Sequence, residues 1–378
     1  MKLIHLSDLH LGKRVNEFSM IEDQKYILTR IVNIIDDEKP DGVIIAGDVY
    51  DRSIPSEEAV ALFDDFLTRL AKRKLQVFVI SGNHDSAGRL SFASGLLDFS
   101  GVHISPAFHG KIEPFVIETE KEKVNLYLLP FIKPAVVRNI FPNEVIESYT
   151  DAVRVAIEHM ELSPLEINIL AVHQFVTGAE RSESEEISVG SMDNVDAAVF
   201  DVFDYVALGH IHGPQQIGKE TIRYCGTPLK YSFSEVKHQK SVTVVEIHGK
   251  DAIGVRTVPL VPLHDMREIK GTYEELTNKK NYENTETEDY LSAVLTDEND
   301  IPDAMAKLRM IYPNLMKLGY DNKRTRENRQ FTDPVDVDSK SPLTLFEEFY
   351  ELLNNQPMSE VQRRFSQELI EKIWEDKA

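Results

Sequence analysis

The sequence predicts an α/β protein in which two β-sheets are sandwiched between helices, followed by a small α+β domain and a pair of helices. Residues 1–260 alternate short apolar runs with stretches whose apolar residues recur at helical spacing, the pattern of a layered α/β domain. Pro259 and Pro262 then precede a change in composition, which places a boundary near residue 262. Carboxylates, an amide and imidazoles also gather just after several of the apolar runs, where open α/β sheets place their ligands.

The elements follow in order. Lys2–Leu6 (KLIHL) reads as a strand running into Asp8 and His10. Met20–Asp36 carries Ile21, Ile27, Leu28, Ile31, Ile34 and Ile35 on one helical face. Gly42–Ala46 (GVIIA) is a second strand and leads to Asp48. A helix over Ser56–Leu70 is capped by Ser56 and blocked upstream by Pro55. Gln76–Ile80 (QVFVI) runs into Asn83, His84 and Asp85. Val116–Glu118 and Asn125–Leu129 form a strand pair; Ile167–Val172 ends at His173, and Tyr205–Leu208 leads to His210 and His212. Ser241–Ile247 and Ile253–Val258 close this domain, residues 1–262, as another pair.

Residues 263–327 form the small domain, with a strand at Met266–Lys270, an acidic helix and an amphipathic stretch at Pro302–Tyr312. The acidic stretch 274–303 holds ten Asp or Glu against two Lys and reads as a solvated helix face. Residues 328–342 are polar, aperiodic and Pro-containing, hence a linker. Two helices over 343–378 carry bulky stripes, Leu345, Phe346, Phe349, Leu352 and Leu353 on the first and Val361, Phe365, Leu369, Ile373 and Trp374 on the second. Ser359 and Gln362 offer the second helix a capping box. Helices of this kind beyond a linker point to a partner groove.

Composition bounds the rest. A chain of 378 residues is long enough for more than one domain. The lone Cys225 excludes an intrachain disulfide and fits a reducing compartment. No apolar run is long enough to cross a bilayer and the chain opens into a strand without a basic leader, so no membrane association and a cytoplasmic location are expected. The net charge of −21 argues against DNA binding through the overall field, although it leaves room for a local basic track.

The spacing of the polar residues suggests a two-ion centre. Asp8 and His10 lie two apart, as do His210 and His212, so each pair at a strand end points the same way. Gly209 and Gly213 flank the second pair and let the backbone turn tightly. Asp48 follows Gly47 at the end of a central strand and is the natural bridge between two cations. One ion would take Asp8, His10, Asp48 and His212, and the other Asp48, Asn83, His173 and His210. This thiolate-free O/N set suits Mn, Fe or Zn.

HLSDLHLG (5–12), GDVYD (47–51), GNHD (82–85), VH (172–173) and GHIH (209–212) resemble the five motifs of calcineurin-like metallophosphoesterases, in the same order. HLSDLHLGK and GTPLKYSFSE (226–235), with the cap, linker and helix pair, are similar to the SbcD family, the nuclease subunits of bacterial SbcCD complexes. The resemblance implies a four-layer α/β/β/α sandwich and metal-dependent phosphodiester hydrolysis of DNA, as exonuclease and as endonuclease on hairpins, in repair, replication and recombination. It implies two divalent ions, with Mn²⁺ preferred, and His84 as the residue that protonates or stabilises the leaving oxygen. Asp85 would orient His84 or a ligand histidine. The implied partners are DNA, an SbcC-type coiled-coil ATPase bound through 343–378, and a second copy of the chain. That homodimer would pack through Met20–Asp36 and Ser56–Leu70 and sit within a heterotetramer. The alternative on the same scaffold is a stand-alone phosphatase or cyclic-nucleotide phosphodiesterase, which needs neither cap nor tethered helices.

Lys13, Arg14, Arg52, Arg89 and Lys230 follow motifs and are candidate DNA contacts; Asp51 is a candidate for substrate contact or for capping Ser53–Pro55. His5, His103, His109, His159, His238, His248 and His264 fall outside the motifs and read as structural.

Overall fold

The structure, a computed structural model, describes residues 1–118, 123–185, 193–323, 325, 342–354 and 356–375; for 342, 352, 353 and 371–375 it describes the backbone alone. It divides into two compact units, Met1–Asp265 and Met266–Ala378. The expected linker 328–342 falls almost wholly outside the described residues, as do the side chains of Leu352, Leu353, Ile373 and Trp374.

In chain order the first unit contains β1 (Lys2–Leu6), β2 (Gly42–Ala46), β3 (Gln76–Ile80), β4 (Val102–Ile104), β5 (Phe115–Glu118), β6 (Lys123–Leu129), β7 (Ile167–His173), β8 (Tyr205–Gly209), β9 (Gln215–Ile217), β10 (Lys219–Tyr224), β11 (Ser241–Ile247) and β12 (Ile253–Pro259). One six-stranded sheet has the order β12-β11-β1-β2-β3-β4 and the other β9-β10-β8-β7-β6-β5. Both centres are parallel: β1 pairs β2, β2 pairs β3, β6 pairs β7 and β7 pairs β8 in that sense. Parallel strands buried on both faces explain why these segments are continuously apolar rather than alternating.

The sheets pack face to face through Leu3, Ile44, Ala46, Phe78 and Ile80 of the first and Leu126, Leu128, Ile169, Ala171, Tyr205 and Ala207 of the second. Outside the first sheet lie α1 (Ile21–Glu38) and α2 (Glu57–Ala71); outside the second lie α3 (Pro134–Ile140) and α4 (Tyr149–Glu158), two helices beyond those expected. The architecture is therefore the four-layer α/β/β/α sandwich. α1 runs two residues past its expected end because Glu38 is gripped by Arg256 and by Lys2, whose Nζ lies 3.0 Å away. Ser56 accepts from the Ala59 N–H at 3.3 Å, the cap expected at the start of α2. The apolar faces of both helices are spent on their own domain: Ile27, Leu28, Ile31 and Ile35, with Ala59, Phe63, Phe66 and Leu70, are all buried.

The second unit holds three parallel strands, β13 (Met266–Gly271), β14 (Tyr290–Leu295) and β15 (Leu315–Tyr320). The expectation of an acidic helix over 274–303 is corrected here. Only two short helices, Tyr273–Thr277 and Lys279–Tyr282, form, and buried β14 occupies the middle of the segment. Glu274 and Glu275 sit in the first of these helices and the other acids in the turns and loops around that strand. The C-terminal helices Pro342–Asn354 and Glu360–Glu375 follow, and Ser359 and Gln362 make the expected box, with the Gln362 N–H donating to Ser359 Oγ at 3.3 Å. No helix among the described residues is long and apolar enough to cross a membrane.

Candidate metal centre

Each candidate ligand stands at the end of a parallel strand or just past it, and the loops that carry Asp8, His10 and Asp48 are laced together by main-chain hydrogen bonds. The Asp8 N–H donates to Gly47 O and the His10 N–H to Asp48 O, both at 2.9 Å, so the turns after β1 and β2 run side by side. Asp8, His10 and Asp48 all take positive φ, at 54°, 44° and 48°. For non-glycine residues this strain marks a place where the surroundings fix the backbone. Gly209 is needed for close approach rather than for a turn, since a Cβ there would stand 1.9 Å from Ala46 O.

The expected ligand residues converge. Asp8, His10 and His212 offer ligand atoms within 4.8 Å of one another, as do Asp8, Asp48 and His173, and His10, Asp48 and His84. Asn83 Oδ1 lies 3.0 Å from His173 Nε2 and 2.9 Å from His210 Nδ1, which joins the remaining two to the cluster. His173 Nδ1 donates to Ala46 O at 2.9 Å and turns Nε2 toward Asp48 Oδ2, 3.3 Å away. Asp8 Oδ1 and Oδ2 accept from the His210 N–H at 3.0 and 3.1 Å.

The electrostatics call for cations. Asp8 and Asp48 are buried, and among the described residues the ion pairs of Asp48 are all with histidines. Burial, reinforced by the neighbouring Asp48 charge, pushes Asp8 up to about 6. Burial alone would lower His173, but the Asp48 carboxylate beside it raises it to about 9, so the position between Asp48 and Asn83 draws a positive charge. Burial lowers His210 to about 3 and holds His10 well below its usual range. His10 Nε2 and His212 Nε2 face one another at 3.2 Å, and buried His10 Nδ1 has no hydrogen-bond partner among the described residues. Neutral imidazole nitrogens turned on one another beside carboxylates fit a shared divalent ion.

The remaining candidates divide. His84 is partly exposed; its Nδ1 donates to Asp51 O at 3.0 Å, and its ring meets that of His10 edge to face at 4.9 Å. Asp85 does not orient a histidine. Its carboxylate accepts from the N–H groups of Gly82, Tyr50 and Val49 at 2.9, 2.9 and 3.1 Å, because it faces the two strand-end turns and ties them together. The Asp51 carboxylate pairs with Lys13 at 2.7 Å and does not cap Ser53–Pro55. Lys230 pairs with Asp265 at 2.8 Å. Arg14 donates to Glu17 O and Arg89 to Ser53 O, while Arg52 is exposed with Asp51 at 3.7 Å.

The sequence reading missed what surrounds His212. Its Nδ1 lies 2.7 Å from Ser184 Oγ, which lies 2.5 Å from Glu235 Oε1, and Lys240 Nζ lies 2.5 Å from Glu235 Oε2. Glu235 ends the GTPLKYSFSE stretch, and being the lone acid of a run that also holds Lys230 was its sole sequence signal.

Residues 1–214 match the family described as calcineurin-like phosphoesterase, and 262–353 the one described as type 5 capsule protein repressor C-terminal domain. The SbcD subunit of the nuclease SbcCD from Staphylococcus epidermidis is 35% identical over 370 residues, covering 96% of each chain. Among solved structures, the NAD nucleotidase of Haemophilus influenzae is 10% identical, covering 93% of this chain and 70% of its own, with a TM-score of 0.38. The E. coli phosphoesterase Yfce is 11% identical, covering 69% of this chain and 100% of its own, with a TM-score of 0.26. Neither of these two structural likenesses bears on function.

Proposed function

The chain belongs to the calcineurin-like phosphoesterases and, within them, to the SbcD family of SbcCD nuclease subunits, and from that premise we propose that it is a metal-dependent DNA nuclease acting as the nuclease subunit of an SbcCD-type complex. The observation that carries the reading is the convergence of seven O/N side chains from five strand-end loops on one buried cluster of carboxylates.

Asp8, His10, Asp48 and His212 would hold one divalent ion and Asp48, Asn83, His173 and His210 the other, with Mn²⁺ as the proposed metal. Bound there, the ions would neutralise the phosphodiester and acidify the attacking water. The protein's part is to place the ligands before substrate arrives and to supply a proton. His84 Nδ1 is engaged by Asp51 O, which leaves Nε2 to meet the substrate. As the water, its proton released to solvent, bonds to phosphorus and the P–O bond to the leaving sugar breaks, the leaving sugar oxygen takes the Nε2 proton of His84, which acts as the acid with both ring nitrogens protonated. Exposed Arg52, with Arg89 and Arg14, is proposed to follow the DNA backbone; Lys13 and Lys230 are engaged by Asp51 and Asp265.

The C-terminal helices leave Phe346, Phe349, Val361, Phe365 and Leu369 exposed, between 43% and 80% of the residue surface. We assign this face to the coiled-coil ATPase of the complex, and a homodimer of the chain to the same assembly.

The reading is tested by cleavage of end-labelled linear and hairpin DNA with Mn²⁺, with and without the ATPase and ATP. Cleavage should require the metal and rise with partner and ATP. His84→Gln should abolish it while metal uptake persists. Turnover of bis-p-nitrophenyl phosphate with DNA untouched under every condition would replace the nuclease by a small-molecule phosphodiesterase. Deleting 343–378 should abolish ATPase binding and leave hydrolysis of the small diester; loss of both would make the helices part of the core fold.

A further inference from the structure

Three polar groups of His212 are each taken by a separate partner, two of them, Glu185 and Lys240, buried. Its N–H donates to Glu185 Oε1 at 2.7 Å, its carbonyl accepts from Lys240 Nζ at 2.9 Å, and Nδ1 meets Ser184 Oγ at 2.7 Å. Nε2 remains, and it faces the candidate metal centre, 3.2 Å from His10 Nε2. The proton directions follow from what each group can do. Glu235 can only accept, so the Ser184 hydroxyl donates to it at 2.5 Å, and Ser184 Oγ must then accept from His212 Nδ1–H. This relay leaves Nε2 with a free lone pair.

Glu235 is fully buried, and a carboxylate there is costly unless paired and hydrogen-bonded. Lys240 supplies the pair at 2.5 Å and also donates to Thr227 Oγ1 at 2.7 Å. The relay spans three stretches of chain, and they are stapled once more where the Glu183 N–H donates to Ser234 Oγ at 3.0 Å. No other proposed ligand histidine has a charged relay of this kind among the described residues; His173 rests on a main-chain carbonyl.

We propose that Glu235, acting through Ser184 and by its own Oε1 3.3 Å from His212 Nδ1, and balanced by Lys240, is the positioning residue of His212: it fixes the tautomer that presents Nε2 and thereby sets the affinity of one of the two divalent ions. The proposal rests on the two-ion reading given above. Glu235 touches neither substrate nor metal; it orients a ligand, and partners of this kind are typically worth about 10–100-fold in metal affinity.

The test is a calorimetric titration of the full chain with Mn²⁺, without substrate. Glu235→Leu alone strands Lys240 and risks unfolding, so the informative variant is Glu235→Leu with Lys240→Met, which removes the buried pair together. Its expected result is one ion weakened about 10–100-fold and the other held as in the wild type. Glu235→Gln, which still accepts from Ser184 but lacks the charge, should fall between. ¹⁵N spectra of the metal-free protein should show His212 protonated on Nδ1 in the wild type and a tautomer mixture in Glu235→Gln. Unchanged affinity for both ions in the double variant would overturn the proposal, as would equal weakening of both, which would make the pair a structural staple. Should the double variant not fold, Glu235→Gln decides: selective weakening supports the relay and wild-type affinity sinks it. Wild-type protein that takes up no divalent ion would overturn the two-ion reading and this one with it, whereas DNA left uncut by protein with the expected metal profile would overturn only the nuclease reading.

Discussion

The two halves of the candidate metal centre are held by different means. Around Asn83, His173 and His210 the scaffold is main chain: His173 rests on Ala46 O, and Gly209 lets β8 come so close to Ala46 that no side chain fits between. Around His10 and His212 it is side chain, with the Ser184–Glu235–Lys240 relay on one ring and Asp51, paired with Lys13, 3.8 Å from Nδ1 of the other. A main-chain support can be broken only by adding bulk. A side-chain support can be tuned by conservative exchange, and its charge can be removed without moving the backbone. The first half should therefore respond to substitution in an all-or-none way and the second by degrees.

Asp48 belongs to both halves and should give the largest effect. Its Oδ2 lies 3.3 Å from His173 Nε2 and 3.8 Å from His10 Nε2. Asp48→Ala should abolish uptake of both ions and lower hydrolysis of bis-p-nitrophenyl phosphate by well over the ~100-fold that bounds the loss of an orienting partner. Metal analysis of the purified variant is the check. Retention of one tightly held ion would show the halves to be independent and would remove Asp48 as the bridge.

Gly209→Ala sharpens the contrast from the main-chain side. The added methyl would meet Ala46 O at 1.9 Å and His173 Nδ1 at 2.7 Å, and neither atom can move without parting β7 or β8 from the opposite sheet. A loss of about 3 kcal/mol is expected, at the upper end for overpacking, and thermal unfolding should begin several degrees lower. Metal uptake should fail together with stability. In the Glu235 variants described above the two should separate. An alanine at 209 that lowers metal affinity while the melting temperature holds would erase the distinction between the halves.

This difference also decides what could be read from the sequence. The ligands were legible because they follow apolar strands at short, repeated spacings: Asp8 and His10, Asn83 next to His84, His210 and His212. Strand ends of one α/β domain converge whatever lies between them. The supports were not legible. Ser184, Glu235 and Lys240 reach His212 from 28, 23 and 28 residues away in sequence, through loops that have no period. Asp85 was read as a partner for histidine because it adjoins His84, yet its carboxylate satisfies three main-chain N–H groups that only the folded turns bring together. In the second unit β14 was hidden because six apolar and small residues, YLSAVL, lie among ten acids, and charge density outweighed a strand too short to show its own pattern. The outer strands of the first unit were easier, since β11 and β12 pair over seven residues each.

The smallest effect comes from a histidine outside both halves and serves as their control. His5 lies on β1, three residues before Asp8, with Nδ1 2.9 Å from the Tyr205 hydroxyl between the sheets. Burial lowers it from 6.5 to about 3, with a hydrogen bond to the Leu208 main chain opposing and the Arg223 charge assisting. Because the folded state refuses a proton that the unfolded chain accepts, the stability attached to neutral His5 is fully present above pH 6.5. It is lost as pH falls toward 3, at up to ~1.4 kcal/mol per unit. Denaturant unfolding at pH 7.5 and pH 5.0 should therefore show the wild type losing about 2 kcal/mol more than His5→Phe across that interval. Added Mn²⁺ stabilises the fold by binding to it, but it should leave this difference between the two proteins unchanged, since His5 is no ligand. A difference that shrinks when the metal is added would couple His5 to the centre. The sheet interior beneath β1 would then belong to the main-chain support rather than lie outside it.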